Sequence, residues 1–188
     1  MQLSGQQKDK NVVEYLIYMW HIEDVIRTYE FDIDLIQEYI ITPTEIPAIN
    51  KLETREWYVE LIKRMKEQKL DRKGHLKELQ VIVQDLTTLH NSLVNVVQDR
   101  EYLNLYSNAQ PNVSELRKRS SGLVRNEIEL CLNGIYGVLM LRLKQKEISD
   151  GTKEAVETFS NMLNYLAVKY RENKGNIQFP PFMKNWGE

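Results

Sequence analysis

Three histidines and one cysteine are the side chains of this chain best suited to metal binding or nucleophilic attack, and their spacing decides how far either chemistry can be expected. A di-iron site in a helical bundle takes Glu-x-x-His pairs, which put both ligands on one inward helix face. The residues three before His21, His75 and His90 are Tyr18, Arg72 and Thr87, so no such pair exists. No two histidines stand four apart, as helical zinc motifs require. No metal and no other cofactor is expected. His21 has Asp24 within one turn, and His75 has Asp71 and Glu78, but helix spacing produces such pairs routinely. A capped or solvated histidine is the simpler reading of each.

Cys131 lies between Leu130 and Leu132 in an apolar run, where a thiol stays protonated and out of reach, so it is expected to pack and not to react. Polar groups inside apolar helices carry more information. Glu23, Asp24 and Arg27 fall in one such helix, and Glu127, Asn133 and Arg142 in another. A lone buried charge is costly, so these groups must pair or sit at helix ends. Structural pairing is the simpler expectation. The functional alternative is a core cluster of His21, Glu23, Asp24 and Arg142 lining a small-molecule or metal-dependent enzyme site.

The segment from 63 to 77, KRMKEQKLDRKGHLK, holds seven Lys and Arg against Glu67 and Asp71, whereas residues 1 to 50 carry nine acidic and three basic side chains. Lys69, Arg72, Lys73 and Lys77 therefore form a candidate basic patch for an acidic partner. The bland alternative is a solvated helix end, where cations also favour the negative end of the helix dipole. No aromatic residues interleave the patch, so nucleic acid is an unlikely ligand by this criterion. A third candidate is the tail NIQFPPFMKNWGE, in which Phe179, Phe182 and Trp186 surround Pro180 and Pro181. These aromatic anchors are expected to dock on the chain itself, on a second copy or on another protein.

The elements that must position these residues are helices. From Val12 to Tyr29 the sequence VVEYLIYMWHIEDVIRTY is apolar in nearly every direction, with Glu14 and His21 on one stripe. Such a helix needs neighbours on at least two sides. The run stops at Glu23 and Asp24, short of the roughly 20 apolar residues of a membrane span. A helix start at Asn126, with Glu129 as the third member of a capping box, opens the second apolar helix, running to about Lys146. The two are expected to be central and mutually packed, with Trp20 and Gly134 or Gly137 in the same core.

Between them the periodicity predicts a short helix capped by Asp32 or Asp34, with Leu35, Ile36, Tyr39 and Ile40 at helical spacing. A third helix follows from about Pro47 to Leu70, with Leu52, Val59, Ile62 and Met65 inward. A turn is expected near Gly74. A long helix then carries Leu76, Leu79, Val83, Leu86, Leu89 or His90, Leu93 and Val97 and ends before Asn108, and the polar stretch YSNAQPN with Pro111 reads as a loop. A short helix to Gly122 precedes the second apolar helix. The last helix starts at Ser149 or Asp150, turns Val156, Phe159, Met162 or Leu163, Leu166 and Tyr170 inward, and ends by Gly175. Residues 1–174 are expected to form one domain and 175–188 an extended tail. The fold class is an all-α, up-and-down bundle of five to seven helices with two buried central helices.

At 188 residues, with 42% apolar and 28% charged side chains and only 8 Gly and 5 Pro, the composition suits one well-buried helical domain. A formal charge of -2 provides no global pull toward nucleic acid or an anionic membrane. One cysteine excludes an internal disulfide, and the start MQLSGQQKDK lacks the apolar centre of a secretory signal. A reducing, cytoplasmic setting with no membrane association is expected.

The blocks YMWHIEDVIR (18–27), REWY (55–58), KGHL (73–76) and EIELCLNGIYGVLMLRLKQKEIS (127–149) together resemble a bacterial all-helical family known as the domain of unknown function DUF4924. The likeness covers about residues 10 to 172. It implies a small all-helical cytosolic protein and no assigned activity or catalytic residues. The expectation is a non-catalytic module that binds another protein or its own copies, with the small-molecule or metal-dependent enzyme as the alternative.

Overall fold

The computed structural model describes residues 11–44, 48–120 and 126–174. The Pro47 helix start, the Gly122 stop and the tail anchors Phe179, Phe182 and Trp186 lie outside them. Among the described residues there are seven α-helices and no strand: α1 Val12–Thr28, α2 Ile33–Ile36, α3 Ala48–Glu67, α4 Lys77–Ser92, α5 Arg100–Arg119, α6 Glu127–Leu143 and α7 Asp150–Lys174. Single π-helical stretches, Gln37–Ile41 and Leu93–Val97, continue α2 and α4. The fold is an all-α bundle.

The described chain forms two compact units, residues 18–44 and 48–81 in one and 11–17, 82–120 and 126–174 in the other. In the second unit α5, α6 and α7 pack on one another. The core of α7 is most of the expected stripe, Phe159, Met162, Leu163, Leu166 and Tyr170, with Ala167, while Val156 is half-buried. α6 starts where its cap predicts, Asn126 Oδ1 accepting from the amides of Ile128 at 3.0 Å and Glu129 at 3.3 Å. α6 packs closely on α5 and α7. Gly134 explains part of this: a Cβ there would meet Leu116 Cδ2 at 3.0 Å and Phe159 Cε2 at 3.1 Å. Gly137 faces open space, so the expected close approach at that residue is absent.

α1 is buried on nearly every side, as its composition requires. Val12, Val13, Leu16, Ile17, Tyr18, Met19, Trp20, Ile22 and Ile26 are all buried, while Glu14 is exposed. Its first amides are bonded by Asn11, whose Oδ1 accepts from Val13 at 2.9 Å and Glu14 at 3.1 Å.

Three further expectations are corrected. α5 runs straight through the anticipated loop at 106–112 with Pro111 inside it. An internal proline costs about 3 kcal/mol, and burying side chains such as Tyr102 and Val113 stabilises by about 1.5–3 kcal/mol each, so packing overrides the local breaker. The interruption comes earlier, where Gln98 adopts the left-handed conformation and Asp99 caps α5 by accepting from the Tyr102 amide at 3.0 Å. In α3, Leu52 and Val59 are exposed, and the buried stripe is Thr54, Tyr58, Leu61, Ile62 and Met65. Two of the expected inward positions sit on the other phase of the helix. In α2 Ile36 is buried but Leu35 is exposed, and in the π-helical stretch that follows Tyr39 is exposed while Ile41 is buried.

Candidate functional site

The turn between α3 and α4 is built by its own backbone and then fastened by α1. α3 ends in a Schellman arrangement: the Leu70 amide donates to Met65 O and the Lys69 amide to Lys66 O, both at 3.0 Å, with Lys69 left-handed at φ 57°. That geometry satisfies the last carbonyls of the helix. Gly74, at φ 92°, occupies a conformation that side chains rarely adopt. Gln68 Oε1 accepts from the Lys77 amide at 2.8 Å, and Gln80 Nε2 donates to His75 O at 2.6 Å. The turn is thereby closed at its base.

Two charged residues of α1 hold it. Glu23 is wholly buried, and its carboxylate accepts from the Leu76 amide at 2.7 Å and lies 2.6 Å from His75 Nδ1. The His75 imidazole stacks on the Trp20 indole with centroids 4.4 Å apart. One turn along, Arg27 donates through Nε to Leu70 O at 3.1 Å and through Nη2 to Gly74 O, and pairs with Asp24 at 2.8 Å. The carboxylate meets one amide and the guanidinium meets two carbonyls, so each buried charge is spent on backbone groups that the turn would otherwise leave unbonded.

Of the candidate core cluster, Glu23 and Asp24 therefore act, but their partners are His75 and Arg27. His21 is half-buried; burial holds its pKa below the usual histidine value, and Asp24 partly opposes this. Arg142 is exposed in the last turn of α6 and belongs to the other compact unit. The acids within one turn of His75 in the sequence, Asp71 and Glu78, have other partners: Asp71 lies 3.9 Å from Arg72, and Glu78 pairs with Arg64. Lys69, Arg72, Lys73 and Lys77 are all exposed and share the fastened turn. Among the described residues no group of three His, Cys, Asp or Glu could hold a metal ion.

A second polar cluster sits in the other unit, where His90 and Glu127 are joined by Tyr102, Tyr106, Arg117, Asp99 and Tyr165, which the spacing did not single out. His90 Nδ1 and the Tyr102 hydroxyl are 2.7 Å apart, and His90 also meets the Tyr106 ring edge-on. Tyr106 donates to Glu127 Oε2 at 2.8 Å, and Arg117 Nη2 to Glu127 Oε1 at 2.8 Å. Tyr165 donates to both carboxylate oxygens of Asp99 at 3.0 and 3.1 Å. Burial depresses the His90 pKa, raises those of Tyr102 and Tyr106, and pushes the Cys131 thiol up to about 12. Each shift favours the neutral form at pH 7. Cys131 is thereby held as a thiol and not as the nucleophilic thiolate. Its sequence signal was Tyr102 and Tyr106 one turn apart after the Asp99 cap, with His90 the partner of the first and Glu127 the acceptor from the second.

No helix among the described residues is long and apolar enough to cross a membrane. No curated protein and no solved structure matches the chain. A family model does, over residues 1–176, and the chain thus belongs to the family described as domain of unknown function (DUF4924).

Proposed function

We propose that this protein is a non-catalytic interaction module whose contact surface is the turn from Lys69 to Lys77, and whose partner is an acidic polypeptide surface. The observation that carries the reading is the fastening of that turn: Glu23 and Arg27 hold its backbone at Leu70, Gly74 and Leu76, while Lys69, Arg72, Lys73 and Lys77 stay exposed. A held turn presents its cations with less ordering cost on binding than a loose one. The absence of an aromatic ring between Lys69 and Lys77 other than the His75 imidazole favours a polypeptide over single-stranded nucleic acid, which binds by stacking as well as charge. Cys131, the one cysteine, is buried as a free thiol, which supports placing the protein in a reducing, cytoplasmic setting.

Fluorescence anisotropy with labelled polyglutamate tests the reading on the full chain, with a single-stranded oligonucleotide of equal charge as comparator. Polyglutamate should bind at low salt, weaken steeply as salt is raised, and lose about tenfold or more in affinity on the double substitution Lys69→Glu and Lys73→Glu, a loss of about 1.4 kcal/mol. No binding at low salt, binding indifferent to the substitutions, or tighter binding of the oligonucleotide overturns it.

A further inference from the structure

We infer that the acidic surface received by the basic turn is on a second copy of this chain, in a two-fold symmetric dimer that pairs the turn with the face of α2 and its π-helical extension. This rests on the reading of the turn as a contact surface and names its partner. The face carries Glu30, Asp32, Asp34 and Glu38, all exposed, with Arg55 the cation bonded among them, to Asp34 at 3.0 Å. Between the acids stand Leu35 and Tyr39, exposed by 39% and 56%. This is apolar surface of the kind that a contact covers and that an isolated charged face does not need.

The two patches belong to the same compact unit and share a border. The Lys66 amine lies 5.9 Å from the centre of the Phe31 ring, so the residue between Glu30 and Asp32 touches the side chain three positions before Lys69. Neighbouring patches of opposite sign are what an isologous contact requires. Rotation by half a turn about an axis at their border sets each basic turn against the partner copy's acidic face, and the attraction is made twice. The contact closes at two copies, because both patches of each chain engage the same partner copy. Exposed ion pairs are individually weak, so the dimer should be salt-sensitive.

Sedimentation velocity of the full chain over a range of concentrations tests this, with circular dichroism to establish that each variant is folded. At low salt the protein should reach a dimer and no larger species, and return to monomer at high salt. Lys69→Glu with Lys73→Glu should give monomer, and so should Glu30→Lys with Glu38→Lys. An equimolar mixture of these two variants should recover the dimer, since both contacts again join opposite charges. A monomer at every concentration in low salt, a dimer unchanged by either reversal, or two monomeric variants that stay monomeric when mixed overturns the inference. Polyglutamate binding on the same proteins separates this failure from that of the underlying reading. A monomer that still binds polyglutamate through Lys69 and Lys73 removes only the second copy as partner, whereas loss of both responses removes the turn as a contact surface.

Discussion

Glu23 and His75 are 52 residues apart in sequence and 2.6 Å apart in space, and the histidine ring lies flat on Trp20, which α1 places three residues before the glutamate. The pair fastens the α3–α4 turn to α1 from two directions. Glu23 is wholly buried and also accepts from the Leu76 amide, so its loss leaves both a buried donor and the histidine without their acceptor.

Glu23→Ala should therefore destabilise the protein by about 3 kcal/mol, the upper end of the cost of leaving a buried donor without its acceptor. Glu23→Gln keeps a carbonyl for the Leu76 amide and should cost less, about 1–2 kcal/mol. Urea unfolding followed by circular dichroism measures both. Equal and negligible losses would show that the buried carboxylate does not fasten the turn.

The two glycines of α6 should part company. Gly134 has Leu116 and the buried Phe159 ring within 3.1 Å of where a Cβ would stand, so Gly134→Leu should overpack the contact with α5 and α7 and cost about 1–3 kcal/mol or more. Gly137 meets nothing within 4 Å, and Gly137→Ala should stabilise by up to about 1 kcal/mol by raising helix propensity. Thermal melts of the two variants against the parent give the signs directly. A destabilised Gly137→Ala would contradict the open surroundings of that residue.

The same pair shows where the sequence is legible. An apolar run with two glycines says that a helix is buried and closely approached, but the direction of approach depends on which neighbours arrive, and only Gly134 points at them. Helix existence and the α7 stripe follow from periodicity, which is local. Helix ends proved harder, because the chain closes α1, α3 and α6 with Glu30, Lys69 and Gln145 in left-handed conformations, where glycine or asparagine would have been the visible sign. Gly74, the one visible glycine of the α3–α4 turn, lies seven residues past the end of α3. Pro111 misled for the converse reason, since its local cost is smaller than the burial gained along α5. Of the site, the cations of the turn were readable as a charge run. The fastening by Glu23 was not, because its partners at 75 and 76 are set by tertiary folding and no helix spacing encodes them.

Cys131 should behave as an inert thiol in the native state. Burial raises its pKa to about 12, with Glu127 adding to the rise and Arg117 opposing it, so thiolate is scarce at neutral pH and the sulfur is also shielded. A disulfide reagent added at pH 7 to 8 should label native protein slowly, and at a rate that follows global unfolding as urea is increased, while unfolded protein reacts at once. Fast, stoichiometric labelling without denaturant would show a reactive, accessible thiol and reopen nucleophilic chemistry at this position.

Stability should fall as pH drops below that of free histidine, and His90 should account for part of the fall. Burial lowers the pKa of His90, with Glu127 opposing, and likewise lowers that of His21, with Asp24 opposing. The unfolded chain then binds protons that the folded chain refuses, between the depressed folded values and about 6.5. Unfolding free energy therefore rises with pH through that window, is fully present above it, and is lost as pH falls from about 6.5 toward the folded values. Protonation of His90 would also place a cation in a buried site whose Nδ1 partner is the neutral Tyr102 hydroxyl. Urea midpoints measured from pH 7.5 down to pH 5 should decline for the parent protein and decline less for His90→Gln, which removes the titrating ring. An equal decline in both would assign the whole pH dependence to other groups, and a parent protein more stable at pH 5 than at pH 7.5 would reverse the sign argued for His90 and His21.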